Sequence, residues 1–578
     1  MRSTSLRLLA LASLTAAWRP TPALAQGAAP TAPGASCEGL VVTRVDIQAA
    51  RPPFEGSASR WRHAARAVGL HHATTRPGVI DAFSQLAVGE RCTEQRRSET
   101  ERLIRDQPFI ANARVRALPD GQGGVAIVVE TVDEVPVLVG GQLHGLGINS
   151  ISLGNGNIGG NGLLGQGYFE RGFGYRSGWG VRLIEYAAFG RPYVGTIEAF
   201  RHPLGFYRNV ELAHPFYTDL QNVAWHLGYN DGEDYRHVAR AARDPLALRV
   251  DQHRWDASTI IRAFGTRTVT LLGVGASGIR LTPDNRGVLV EDEGLRPDTG
   301  TTLNDRYQAF RAIRVGVLGG IRRVTFTPVR GFDGLAAQQD VATGIMTGLF
   351  AAHGIPSAGE SDIFLSGGVY AGKGNEHMLL ATVAQMEARR DQAANVWDSM
   401  VGSGRAAFYL TTAPGMLFVL DDRYSMGLDS RLPLQLDLGD RIGGILGYRT
   451  ASIAGARRNA ARAELRFSRQ AMVRNADVGV AAFGESGTVW AGDVPYGRSA
   501  TRATVGVSLL AAYPTRSKRL YRADIGIPLT PGGDGGGRIE VRFSSEDRTG
   551  LFWREPDDIS RARTGPVAST LFVTPTTH

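Results

Sequence analysis

Ala461-Arg462-Ala463-Glu464-Leu465-Arg466-Phe467-Ser468 decides the fold class, because apolar and polar side chains alternate in it without a break. A β-strand sends successive side chains to opposite faces, so this stretch has one greasy face and one charged face. Tyr521, Ala523, Ile525 and Ile527 interleave with Arg522, Asp524 and Gly526 in the same way. So do Ile539, Val541 and Phe543 with Arg538, Glu540 and Arg542. A single strand of this kind fits a soluble sandwich as well as a barrel. The extent of the pattern separates them: roughly 420 residues of strands and turns exceed an ordinary sandwich, whereas a closed membrane barrel grows by adding hairpins. The expectation is an all-β transmembrane barrel of about sixteen antiparallel strands over 135–555. Its apolar side faces lipid, its charged side faces a wet lumen, and closure satisfies the backbone without an edge. Val505, Val507 and Leu509 are expected outside, with Thr504, Gly506 and Ser508 inside. Trp179, Phe216, Tyr217, Trp225, Tyr229, Tyr409, Phe418, Trp490 and Tyr513 fit interfacial aromatic girdles.

The flanks are organised differently. Arg2 and Arg7, the apolar run Leu8 to Ala17, and Ala23-Leu24-Ala25 before Gln26 form the pattern of a secretory signal peptide over 1–25. The segment 26–36 reads as a linker. Over 37–134 the order is β-α-α-β-β: a strand at Val41 to Ile47, a helix starting at Arg76-Pro77 and running through Leu86, and a helix from Thr93 to Asp106. A hairpin then crosses Pro119-Asp120-Gly121. The last segment, 556–578, is either a tail behind a closing strand at Arg538 to Phe543, or holds the closing strand itself at Val567 to Val573.

Composition agrees. With 73 glycines in 578 residues and 43% hydrophobic residues, the chain is too apolar for disorder and too glycine-rich for a helical protein. Past residue 25 there is no apolar run of about eighteen residues, so no transmembrane helix is expected. The signal peptide carries three arginines and no acid, and its removal lowers the formal charge from +9 to +6. That mild excess, spread along strands, suits a solvated lumen or an anionic lipid surface and no nucleic acid. Cys37 and Cys92 are the only cysteines, and an exported chain meets an oxidising compartment. They are expected to be joined, stapling the small domain; two unpaired thiols are the alternative.

No enzyme motif stands in a fitting context, and no cofactor or metal is expected. Gly154 to Gly159 and Gly273 to Gly278 spell a dinucleotide fingerprint, but neither is followed by the helix that would hold a pyrophosphate. His63 with His71-His72 lacks a carboxylate or thiol at ligand spacing.

Thr75-Arg76-Pro77-Gly78-Val79-Ile80, Gly89-Glu90-Arg91 and Gln107-Pro108-Phe109-Ile110-Ala111-Asn112-Ala113-Arg114-Val115, followed by a long barrel, resemble the POTRA-plus-barrel superfamily of outer-membrane assembly and translocation proteins. This is the bacterial surface antigen family, with its BamA-like and TamA-like members. The resemblance implies an outer-membrane barrel with one POTRA-like domain in the periplasm. It also implies a loop that folds into the lumen with a tip of the form apolar-Arg-Gly-aromatic, and a wall strand carrying aromatic-x-acid-x-Gly against that tip. Phe483, Glu485 and Gly487 match the wall motif. Ile445, Leu446, Gly447, Tyr448 and Arg449 match the tip by position, within a loop at about Leu432 to Arg458, although Leu446 stands where the family has arginine. Val329-Arg330-Gly331-Phe332 matches in letters but sits too early in the chain. A cation for Glu485 is expected from Arg449, or from Arg462 or Arg466. The function implied is insertion or translocation of polypeptides without catalysis. Its partners are outer-membrane lipid and unfolded clients, or a periplasmic partner bound to the small domain by strand addition. A passive pore-forming or structural barrel, or lipid transport, is the alternative.

Overall fold

The computed structural model describes residues 36–52, 73–144, 147–171, 177–238, 246–291, 294–300, 303, 307–439, 442–448, 454–473, 475–491, 499–529, 539–547 and 554–565. The signal peptide, most of the linker, His63, His71, His72 and the segment Val567 to Val573 lie outside the described residues.

The N-terminal unit is a three-stranded sheet with helices on it. Strand β1 (Val42–Ala50) runs parallel to the central β3 (Val125–Asp133), which pairs antiparallel with β2 (Ile110–Pro119). Helix α1 (Pro77–Asp81) begins with proline, whose missing N–H costs nothing in a first turn. It stops well before Leu86, because the Ser84 hydroxyl accepts from the Leu86 N–H at 3.2 Å and turns the chain. Helix α2 (Glu94–Asp106) is capped by Thr93, whose side chain accepts from the Arg96 N–H. Phe83, Leu103, Phe109, Val115 and Ile127 meet in the core. Cys37 and Cys92 are bonded, with Cα atoms 5.6 Å apart.

The rest of the chain forms a closed antiparallel barrel of twenty strands, not about sixteen. The excess lies at the start, where six strands of eight to ten residues fit between Val137 and His214. Glycines at 140, 141, 154, 165, 167, 178 and 180 interrupt the apolar/polar alternation there, which hides the strands from a count by pattern. Later strands are longer, up to 21 residues in Phe310–Arg330. Gly273 to Gly278 continues as the strand Val269–Pro283.

The polarity is inside out. In the strand Arg502–Ala512, Val505, Val507 and Leu509 are 45–55% exposed, while Thr504 and Ser508 are fully buried. An apolar outer band around a charged interior is the polarity of a barrel that spans an outer membrane. Trp179, Tyr229 and Trp490 are exposed on it, whereas Phe216, Tyr217 and Tyr409 are buried and take no part in a girdle. Tyr217 joins the core of the N-terminal unit, and Tyr409 stacks on Phe332 in the lumen.

The small unit sits on one rim of the barrel, called here the near rim. Arg105 pairs with Asp340 at 2.7 Å, and Arg102 lies over the Phe326 ring and donates to the Tyr217 carbonyl. Glu134 accepts from the Lys518 N–H and the Ser517 hydroxyl. Asp133 accepts from both the N–H and the hydroxyl of Thr75, and that hydroxyl in turn accepts from Asn157 in a near-rim turn.

Candidate functional site in the barrel lumen

Among the described residues, three pieces of chain occupy the lumen. From the near rim, the turn after Arg330 folds inward. Phe332 is buried, its carbonyl accepts from Arg466, and Leu335 packs against Ala481, Leu510 and Leu520 on the opposite wall. Val329-Arg330-Gly331-Phe332 therefore enters the lumen, but from the end opposite to the long loop, and ten strands follow it. From the far rim comes the loop between the strands Met416–Leu428 and Arg457–Val473. Behind the last wall strand, Glu540–Asp547, residues 554–565 re-enter with the short helix α3 (Asp557–Ala562).

The far-rim loop is anchored by a two-residue ladder, Leu436–Asp437 against Ala454–Gly455, and by the apolar cluster of Leu438, Ile445, Tyr448, Ala460 and Val489. Five strands follow it. Its tip rests on the last strands of the wall. The Leu446 N–H donates to Glu485 Oε2 at 2.8 Å, and its carbonyl accepts from the Thr504 hydroxyl at 2.6 Å. Tyr448 donates its hydroxyl to the Ala503 carbonyl at 2.9 Å. Gly447 has φ +92°, a region that disfavours side chains, and a Cβ there would collide with Pro528. Arg449 lies outside the described residues.

Phe483, Glu485 and Gly487 share one face of the strand Ala476–Trp490 because they are two residues apart. Gly487 leaves room for the tip: a Cβ would stand 2.8 Å from Leu438 Cδ2 and 3.2 Å from Ile445 Cδ1. Glu485 takes its cation from the neighbouring strand, with Arg462 Nη1 at 2.6 Å from Oε1. The Arg462 guanidinium lies over the Phe483 ring, 3.8 Å from its centre, so one motif residue pairs it and another supports it. Leu446 thus contributes its main chain to Glu485, and a wall arginine supplies the charge that an arginine at position 446 would bring.

Around this pair the wall carries a closed ionic network. Glu464 accepts from Arg522 at 2.6 Å, Arg466 at 3.0 Å and Arg462 at 3.1 Å. Asp524 accepts from Arg522 and Ser508, both at 2.6 Å. Arg522, Asp524 and Ser508 were visible as the polar half of two alternating strands, but alternation alone does not say which charges meet across strands.

The tip lies next to the seam where first and last wall strands meet. Among the described residues, Val137–His144 pairs with Glu540–Asp547 over five, from Glu540↔His144 to Ser544↔Gly140. The strands Phe310–Arg330 and Gln338–Gly354 pair over seventeen. Beyond Ser544 the ladder is replaced by a side chain: Ser545 Oγ accepts from the Val139 N–H and donates to the Val139 carbonyl. Arg542, in the seam, has Nε and Nη2 buried with no hydrogen-bond partner among the described residues. No metal-ligating cluster occurs among the described residues.

Fold and lumen together define a class: a transmembrane β-barrel with an occluded, ion-paired lumen and a small α/β unit on one rim. No protein-family model matches the sequence, and no curated protein matches it. Solved structures do resemble it. BamA from Haemophilus ducreyi lacking POTRA domains 1–3 is 11% identical over 88% of this chain and 84% of that one, with a TM-score of 0.36. CdiB from Escherichia coli is 11% identical over 87% and 76%, with a TM-score of 0.45. The ferric citrate transporter FecA in its unliganded form is 10% identical over 75% and 82%, with a TM-score of 0.34.

Proposed function

We propose that this barrel assists insertion or translocation of polypeptides at the outer membrane, without catalytic chemistry, and with its small domain in the periplasm. The observation that carries the reading is the seam. Among the described residues, five paired residues and a half-buried arginine whose Nε and Nη2 lack a hydrogen-bond partner join the first and last strands, and the loop tip latches the strands beside them. Parting such a seam exposes two strand edges, and an exposed edge templates another strand. A passive open pore is supported less, because the lumen is filled from both rims and by the tail.

The test is reconstitution in liposomes with an unfolded outer-membrane protein as client. The barrel should accelerate client folding. Cysteines at the paired positions 142 and 542 (Gln142→Cys with Arg542→Cys) should abolish the acceleration when oxidised and restore it on reduction. Solute flux without acceleration would support the pore instead.

A further inference from the structure

The wall closes without residues 554–565, yet these residues are bound in detail. Asp558 pairs with Arg458 at 2.8 Å, and Ile559 is buried against Val401, Leu434 and Leu436. Past α3 the chain is extended, with Arg563 at φ −64°, ψ 142°, and here the wall contacts the main chain itself. Arg254 Nη1 donates to the Arg563 carbonyl at 2.9 Å. The Thr564 N–H donates to Glu387 Oε1 at 2.6 Å. Arg314 Nη1 donates to the Thr564 carbonyl at 3.0 Å.

These three main-chain bonds fall on two consecutive residues and come from three wall strands, Leu246–Phe264, Phe310–Arg330 and Met378–Asp391. They ask nothing of the ligand's side chains. The clamp is also preorganised: the other guanidinium nitrogens of Arg314 are fixed by Asp362 at 2.7 Å, and Arg389 holds Asp362 in turn at 2.8 Å. Among the described residues, every hydrogen bond to the Glu387 carboxylate comes from Thr564, and Arg563 is the cation beside it at 3.5 Å. A buried carboxylate whose hydrogen bonds all come from a detachable segment, with the wall's Arg314 acting on it only through space, is built for a ligand rather than for the wall.

We propose that Arg254, Arg314 and Glu387 form a lumenal main-chain clamp for an extended, cationic polypeptide segment, and that the chain's own residues 554–565 are its resident ligand. Ile559 and Arg563 set the preferred side chains, an apolar residue with an arginine four positions later. The clamp deepens the proposed function, from which it needs only that a polypeptide enters the lumen.

Fluorescence anisotropy of a labelled peptide of residues 554–566 tests it against the full chain and a chain ending at Asp547. The shortened chain should bind at least about tenfold more tightly, because a tethered segment competes at high local concentration. N-methylation of the Thr564 amide should weaken the peptide about tenfold or more, since it removes the short charge-assisted bond, while Thr564→Ala, which removes only the longer bond from the hydroxyl at 3.1 Å, should weaken it less than N-methylation does. If the shortened chain does not fold, the full chain is folded first and then cut at a protease site placed in 548–553, and the peptide should displace the cut tail. Equal binding to both folded forms, failure of the peptide to displace the cut tail, or an N-methylated peptide that binds as well as the unmodified one overturns the proposal. Client folding measured on the same preparations separates the two claims. Acceleration without peptide binding sinks the clamp alone, and binding without acceleration sinks the proposed function alone.

Discussion

The small domain and the barrel use the same strand periodicity with opposite polarity. In β2, Ala113, Val115 and Ala117 turn into a dry core while Asn112, Arg114 and Arg116 turn outward. In the strand Arg502–Ala512, the valines turn outward and the polar side chains inward. In water, burying such a side chain contributes about 1.5–3 kcal/mol, and the small domain collapses around its apolar face. Against lipid there is no such gain, so backbone closure holds the wall and paired charges organise its interior. Alternation therefore announces two unlike faces, and the surrounding solvent decides which one is inside.

The sharpest way to break the barrel's half of this contrast is Arg462→Ala. It leaves Glu485 without its cation and removes one donor from Glu464. In a largely desolvated lumen the loss should be about 3–5 kcal/mol, read as a shift in urea unfolding in lipid vesicles; a loss of about 1 kcal/mol or less would mean that water screens the network.

The small domain should depend on its cross-link instead. Cys37→Ser with Cys92→Ser should cost roughly 3–4 kcal/mol by the chain-entropy model, confined to amides of 37–134 in hydrogen exchange. Equal loss of protection in the wall would show that the two regions unfold together.

The junction between them should respond to pH in an unusual direction. Burial, aided by the neighbouring Glu134, pushes the Asp133 carboxyl up to about 6 from 3.8, although Thr75 opposes the shift. A raised acid binds its proton more tightly in the folded state. Its contribution is therefore fully present below about pH 4 and is lost as pH rises to about 6, by about 3 kcal/mol at most. Glu99 works the other way: burial would raise it, but Arg102 lowers it, so its contribution is lost only on acidification. The difference in small-domain stability between wild type and Asp133→Asn isolates the first effect. It should change between pH 4 and 6 and stay flat from 6 to 8.

The element order of the small domain was readable because each piece carries a local signal: Pro77 at a first turn, Thr93 as a cap, a turn-forming Pro119-Asp120-Gly121. The strand count is not, since glycines between 140 and 180 break the alternation of the first four wall strands. Within the lumen, Phe483, Glu485 and Gly487 declare a common face by spacing alone. Their partner did not, because Arg462 is adjacent only after the strands Arg457–Val473 and Ala476–Trp490 take their register, Arg462↔Glu485.

What the sequence determined by itself was local and periodic: strands with one charged face, a capped helix, two cysteines, an inward-facing motif. Tertiary structure decided everything that depends on closure. Strand register chose which arginine meets Glu485, and ring closure brought Val137–His144 beside Glu540–Asp547. The residues after the last strand found their place inside the barrel because Glu387, Arg314 and Arg458 converge there from separate strands. No local pattern encodes that convergence, since an ion pair between strands depends on distance in space and leaves no period along the chain.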